Sequence, residues 1–410
     1  MSGITEIRHA RVVTPTTVIE DGHVVITGNR IAAVGPTPGR ELPRTTTIDA
    51  EGRTLMPGLI DLHGDDIEGH REPRAGAEIP LPTALTAADR ANLCNGVTTK
   101  FHAVAFEDAP DDGRSIEAAT ALATELDDEE YTLGDNRLHA RCELTAGSVD
   151  AVEDLSETAA IDLLSVMHHA PGTGQYDAES FERHYIEDRN WPADSVAAAA
   201  RSRASMAEAD REARITRLAD LADRLDCPLA SHDDESPAEV DRMADHGATI
   251  SEYPLTLDAI QRAADRDLTT VMGAPNLLRG GSLWDNLSVV DAIDAGCVDV
   301  LCADYHPPSL LAAPFVDTGE PLPTRVNRVT RNPAEVVGLS DRGRIAVGAR
   351  ADLVVVEPEP TPTVELVVVD GTEVLNVGLG GRGAEGSEPT AGPNPSLAAY
   401  PSPSAFDSSR

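Results

Sequence analysis

Leu59-Ile60-Asp61-Leu62-His63-Gly64-Asp65 is a run of large aliphatic residues that ends in an imidazole and a carboxylate two positions apart. Residues i and i+2 of a strand share a face, so His63 and Asp65 can reach one ion together. Similar strand-like runs recur at Val97–Ala103, Leu138–Leu144, Leu163–His169, Pro228–His232, Thr249–Tyr253, Leu268–Gly273 and Val298–Ala303. Helical patterns separate them, among them Ser115–Leu126 and the acid- and alanine-rich Ser195–Leu225. Strands alternating with helices are the mark of parallel βα units. Eight of them predict an α/β fold with a (β/α)8, TIM-like barrel over residues 57–340.

The two ends of the chain read differently. Ile4–Val13 and Val18–Ile26 show β-branched alternation broken by Gly28-Asn29 and Gly35-Pro36. The same texture returns at Leu353–Val356 and Leu366–Val369, the latter followed by the turn Asp370-Gly371. Residues 1–56 and 341–376 are therefore expected to form one small β-sheet domain beside the barrel. Residues 377–410, rich in Gly, Pro and Ser, read as a disordered tail.

Composition narrows the function classes. Of 410 residues, 33 are basic and 70 acidic, a net charge of −37, which argues against nucleic acid or an anionic membrane surface as partner. Hydrophobic residues make up 41%, enough for a sizeable core. No apolar run approaches the roughly 20 residues that span a bilayer. Met1–Ala10 lacks a basic-then-apolar leader pattern, so a cytoplasmic protein is expected. The 5 cysteines are scattered without a C-x-x-C, which fits reduced, core-filling thiols. Lys100 is the only lysine. Many acids, few aromatics and arginine in place of lysine suit a cytosol of very high salt, where charge repulsion is screened.

Metal-capable residues gather at the predicted C-terminal strand ends, where a barrel builds its active site. They are His63 and Asp65, Glu143, His168-His169, His232-Asp233-Asp234, and Asp304. Imidazoles and carboxylates without a thiolate suit zinc, manganese or iron(II). Three imidazoles and three carboxylates from this set already exceed the needs of one tetrahedral ion; two ions about 3.5–4 Å apart, bridged by Glu143, would use them. Arginines supply a second pattern. Arg74 follows the first pair, and Arg141 shares a strand face with Glu143. Arg279-Gly280-Gly281-Ser282 reads as a turn opening a helix, a cradle for an anion.

Met56-Pro57-Gly58-Leu59-Ile60-Asp61-Leu62-His63, Gly96-Val97-Thr98-Thr99, and Asn332-Pro333-Ala334 with Gly343-Arg344-Ile345, Gly348 and Ala351-Asp352-Leu353 resemble the amidohydrolase superfamily. Further motifs narrow the resemblance: His63-x-Asp65, Arg137-Leu138-His139-x-Arg141-Cys142-Glu143-Leu144, His169-x-Pro171-Gly172 and Ala230-Ser231-His232-Asp233-Asp234. Met272-Gly273-Ala274-Pro275-Asn276-x-x-Arg279-Gly280-Gly281-Ser282 and Asp304-Tyr305-x-Pro307-x-Ser309-Leu310-Leu311 complete the set. Together they are similar to the α-D-ribose 1-methylphosphonate 5-triphosphate diphosphatases of the carbon–phosphorus lyase pathway.

The resemblance implies metal ligands His63, Asp65, Glu143, His169, His232 and Asp304, holding two divalent ions, zinc or manganese. It implies Asp304 as the catalytic proton acceptor. The expected contacts to a polyanionic small-molecule substrate are Arg74, Arg141, Asn276, Arg279, Gly280, Gly281 and Ser282. It implies hydrolysis of the 5-triphosphate to the 5-phosphate and pyrophosphate, a homo-oligomer, and functional association with carbon–phosphorus lyase proteins. Gly64 stands where the family has Thr, and His102 and His168 stand where it commonly has acids. The family places its later histidine ligand on the sixth strand, whereas the count here puts His232 on the fifth. The alternative chemistry on this fold is hydrolysis of a cyclic amide or an N-acetyl sugar, as in dihydroorotases and deacetylases.

Overall fold

The computed structural model describes residues 4–39, 45–74, 76–107, 115–128, 130–170, 178–188, 191–282, 286–379 and 381–382. The chain opens with β1 (Ile4–Val13), β2 (Val18–Thr27), β3 (Arg30–Pro36), β4 (Thr45–Asp49) and β5 (Thr54–Pro57). The barrel follows as β6 (Leu59–Gly64), β7 (Val97–Phe106), β8 (Asp135–Glu143), β9 (Leu163–Met167), β10 (Leu229–His232), β11 (Ile250–Glu252), β12 (Thr269–Gly273) and β13 (Val300–Cys302). The chain returns to the first sheet with β14 (Leu353–Glu357), β15 (Thr363–Val369), β16 (Thr372–Asn376) and β17 (Gly381–Arg382).

All eight expected barrel strands form, pair in parallel in sequence order, and make one sheet. The sheet meets itself through a bridge between Gly64, ending β6, and Asp304, just past β13. Apolar residues from most of the strands fill the interior, including Ile60, Phe101, Leu163, Ala230, Ile250, Val271 and Val300. His232 ends the fifth barrel strand, as the sequence count had it.

The second sheet runs β16-β15-β14-β5-β1-β2-β3, with β4 beside β1 and β17 beside β4. Both chain ends build it. Strand β14 explains why its sequence is a continuous apolar run. Val354 and Val356 pack on the barrel-side cluster with Leu301 and Leu310, while Leu353 and Val355 pack with Ile7 and Leu55 in the sheet's own core. A strand buried on both faces needs no polar alternation. Each such side chain contributes about 1.5–3 kcal/mol of burial.

The stretch expected to be helical over Ser195–Leu225 is two helices, Ala193–Ala204 and Glu208–Leu225. The break falls at Ser205, whose hydroxyl bonds back to the Ser202 carbonyl and competes with the helical ladder. Most of the expected tail lies outside the described residues, as do Pro171 and Gly172; Gly381–Arg382 pairs with β4. Among the described residues, no helix is long and apolar enough to cross a membrane.

Candidate metal centre

The strand ends bring the polar residues to one mouth. Strand β6 delivers His63, β8 delivers Arg141 and Glu143, β10 delivers His232, and β11 delivers Glu252. His169 follows β9, and Asp304 follows β13. Asp233, Tyr253 and Asp304, each just past a strand end, adopt left-handed backbone at φ 60°, 52° and 56°. That conformation is uncommon outside glycine, and such strain concentrates at functional sites.

Glu252 organises one half of the mouth. It is fully buried and accepts from His63 Nδ1 at 3.1 Å and His232 Nδ1 at 3.2 Å. An ionised carboxylate only accepts, so both Nδ1 atoms carry a proton, and Nε2 is the nitrogen left to face the mouth. The two rings stack at 5.7 Å with 19° between their planes. A carboxylate holding the outer nitrogen of an imidazole is the usual support of a metal-binding histidine. Burial works against the charge on Glu252, but His139 and His63 outweigh it and hold the carboxyl well below its usual range. His139 lies 3.8 Å from Glu252, and its nitrogens are engaged by the Leu62 carbonyl and Ser165 Oγ, both at 2.9 Å. Burial pushes His139 down to about 3, so it stays neutral.

Glu143 organises the other half. Its oxygens accept from the His169 backbone N at 3.0 Å and from His169 Nδ1 at 2.8 Å. Arg203 lies behind it: Nε is 3.9 Å from Glu143, Nη2 is 3.3 Å from Glu107, and Nη1 donates to the Tyr185 hydroxyl at 2.9 Å. Burial opposes the Glu143 charge, but Arg203 and then His169 outweigh it and lower the carboxyl to about 2. Burial likewise opposes a charge on His169, but Glu143 and Asp233 raise the imidazole to about 9. His169 Nε2 faces Asp233 Oδ2 at 3.7 Å, and His232 Nε2 faces Asp233 Oδ1 at 3.7 Å.

Arg141 stands between the acids. Its Nη1 is 3.5 Å from Asp65 Oδ1, and its charge also acts on His63, Asp233 and Asp304. Asp65 N donates to the Asp304 carbonyl at 2.8 Å, and Asp304 N to the His63 carbonyl at 2.9 Å, so the three share one seam. Burial, then Asp65, pushes Asp304 up to about 7. A carboxyl near neutrality suits a proton acceptor.

The residues fit a divalent cation. Donor atoms of His169, His232 and Asp233 lie within 4.8 Å of one another, and Asp233 Oδ2 is buried without a hydrogen-bond partner. A buried carboxylate oxygen with an imidazole nitrogen at 3.7 Å and no hydrogen bond favours a cation there. His63, His139 and Glu252 form a second such group, but His139 and Glu252 spend their atoms on protein partners. That group reads as support, leaving His63 Nε2 to the mouth.

The expected substrate contacts fare unevenly. Arg141 and Arg279 both act on Asp304. Arg279 reaches the Tyr305 hydroxyl. Arg74 is exposed on the loop after helix Ile67–Arg71. Asn276 is taken up in bracing its own loop, donating to the Leu287 carbonyl at 3.1 Å and accepting from Val289 N at 3.1 Å. One expectation is corrected: Arg279-Gly280-Gly281-Ser282 closes a helix instead of opening one. Helix Ala274–Arg279 starts directly at the strand end, with Pro275 in its first turn, and Gly280 stops it at φ 75°. A helix C-terminus presents carbonyls, so the backbone cradle loses its basis there. Ser282 is half-buried at the edge of the described residues.

The sequence pattern does not single out Glu252, Arg203 or Glu107, and it marks Asp233 as metal-capable without placing it in the expected ligand set. Glu252 stands one residue before the end of the expected strand Thr249–Tyr253, and that is its available signal. Arg203 comes from a helix far along the chain, with no local pattern to announce it. His102, expected to stand in for an acid, is buried with Nε2 2.8 Å from Asn136 Oδ1.

Comparison with known proteins bears on the family and the fold. A family model described as the amidohydrolase family matches residues 312–375. Escherichia coli α-D-ribose 1-methylphosphonate 5-triphosphate diphosphatase is 32% identical over 82% of this chain and 91% of its own. A 5-methylthioadenosine/S-adenosylhomocysteine deaminase of Natronomonas pharaonis is 26% identical over 92% of this chain and 91% of its own. Among solved structures, a prolidase complexed with N-methylphosphonate-L-proline superposes with TM-score 0.60 at 18% identity, over 91% of this chain and 100% of that one. A Xaa-Pro dipeptidase does so with TM-score 0.63 at 14% identity, over 90% and 99%. The chain therefore belongs to the amidohydrolase superfamily, and it shares most of its length with the diphosphatase relative.

Proposed function

We propose that the chain is a divalent-metal-dependent diphosphatase that hydrolyses α-D-ribose 1-methylphosphonate 5-triphosphate to the 5-phosphate and pyrophosphate. The observation that carries this reading is the 32% identity to the Escherichia coli diphosphatase over 91% of that protein. A buried arginine at the centre of the mouth supports it, because a polyanion needs fixed positive charge there.

His63, His169, His232 and Asp233 would hold one or two divalent ions, zinc or manganese, with Asp65, Glu143 and Asp304 completing the expected set. Bound divalent ions supply charge against phosphoryl oxygens and make water easier to deprotonate. Asp304 orients the attacking water and takes its proton. Arg141 and Arg279 meet the phosphate oxygens and steady the charge that spreads over them in the transition state. Arg74 provides a further guanidinium at the rim. Glu252 and Glu143 keep the imidazoles in one tautomer and orientation.

We read the enzyme as cytoplasmic, homo-oligomeric and functionally associated with carbon–phosphorus lyase proteins. The test is release of pyrophosphate from a ribosyl 5-triphosphate by protein loaded with Mn2+ or Zn2+. A second reading, hydrolysis at a carbon–nitrogen bond, draws on the deaminase relative. Ammonia release or opening of a cyclic amide, without pyrophosphate, would replace the first reading with the second.

A further inference from the structure

The single lysine of the chain is buried. Lys100 leaves strand β7 and reaches behind β6. Its Nζ lies 2.9 Å from Asp61 Oδ2 and 2.8 Å from Asp66 Oδ1, and it donates to Asn92 Oδ1 at 3.3 Å. Burial works against the charge, but Asp61 and Asp66 outweigh it and raise the ammonium above a lysine's ordinary range. A buried cation with two acids and an amide is satisfied where a lone one would shed its proton.

Both acids are tied to the mouth. Asp61 Oδ1 accepts from His63 N at 3.2 Å and from Ala303 N at 2.8 Å. Those amides stand on opposite sides of the barrel seam, and Ala303 precedes Asp304. Asp66 follows Asp65. One ammonium thus grips two carboxylates: Asp61, which holds the His63 and Ala303 amides, and Asp66, the residue after Asp65. Gly64 is shaped to this: a Cβ there would lie 1.9 Å from Lys100 Cε and 2.1 Å from Nζ. A side chain at position 64 and the lysine cannot share the space unless one of them moves.

We propose that Lys100 is a positioning residue that, through Asp61 and Asp66, sets where His63, Asp65 and Asp304 stand at the seam and so how tightly the mouth holds a divalent cation. The proposal rests on reading the mouth as a metal site.

The test compares the full chain with Lys100→Met and with Gly64→Ala, which keeps the lysine but pushes it aside. Three quantities are measured: Mn2+ affinity by competition with a chelator, hydrogen exchange of the His63 and Ala303 amides without metal, and Tm. Both variants should bind Mn2+ roughly 10–100-fold more weakly, the range seen when supporting groups behind metal ligands are changed. Both amides should exchange roughly 10-fold faster or more. Should Lys100→Met fail to fold, Asp66→Asn removes one partner and should shift the same quantities less.

A lower Tm with unchanged affinity and unchanged exchange at the seam would overturn the proposal, leaving Lys100 a merely structural ion pair. If the unmodified protein binds no divalent metal, the metal reading itself fails. The exchange rates of the metal-free protein then still decide whether Lys100 holds the seam.

Discussion

Two buried glutamates organise the mouth, and their charges are balanced in different ways. Glu143 has Arg203 at 3.9 Å, a permanent cation from a helix outside the barrel. Glu252 has imidazoles: His63, His232 and, a little farther off, His139, which burial keeps neutral. The Glu143 half therefore carries a fixed cation of its own. The Glu252 half holds a buried anion supported only by hydrogen bonds from imidazoles, and it gains most from an added cation in front of them. The difference separates a half that is prefabricated from one that a metal ion would finish.

Removing the fixed cation should cost most. Arg203→Met leaves Glu143 and Glu107 buried without their guanidinium, and should destabilise the fold by about 3–5 kcal/mol in urea unfolding. A loss under about 1 kcal/mol would mean that His169 alone balances Glu143, and the two halves would cease to differ. Stripping metal comes next. With Mn2+ at 100 times its Kd, chelation should lower stability by about 2.7 kcal/mol. No change on chelation would remove the need for a cation in the Glu252 half.

Glu252→Gln sharpens the comparison. It should weaken Mn2+ binding roughly 10–100-fold. At the same metal concentration, the stabilisation by metal should shrink to about 0.4–1.4 kcal/mol. An equal effect from Glu143→Gln would show that both halves rely on metal alike. The smallest effect belongs to the rim: Arg279→Ala should leave stability within about 0.5 kcal/mol. It should raise KM for a triphosphate substrate by roughly 5- to 10-fold, the cost of one charge-assisted contact.

The barrel was legible because its strands are short apolar runs, several of them ending in polar residues, a signal carried by neighbouring positions such as Leu59 to His63. The small sheet was legible at β14 and β15 for the same local reason. The site was legible as far as its residues end strands: His63, Glu143, His169, His232 and Asp304 all appear at the mouth. What sits behind them was not. Arg203 reaches Glu143 across 60 positions of chain, and Glu252 reaches His63 across 189. Partners set by tertiary distance leave no periodic trace. The Arg279 turn failed for a different reason, because Pro275 and Gly280 fix which end of a helix it occupies, and glycine density alone does not.

The barrel's first and last strands meet at Gly64 and Asp304, separated by 240 positions. The polar mouth therefore straddles the joint where the cylinder is zipped shut. A chain emerging from the ribosome has His63 early and lacks its opposite wall until nearly three quarters of the protein has been made. Chemical competence arrives in one step with ring closure, so a copy that ends before Asp304 should be inert rather than a loosely selective hydrolase.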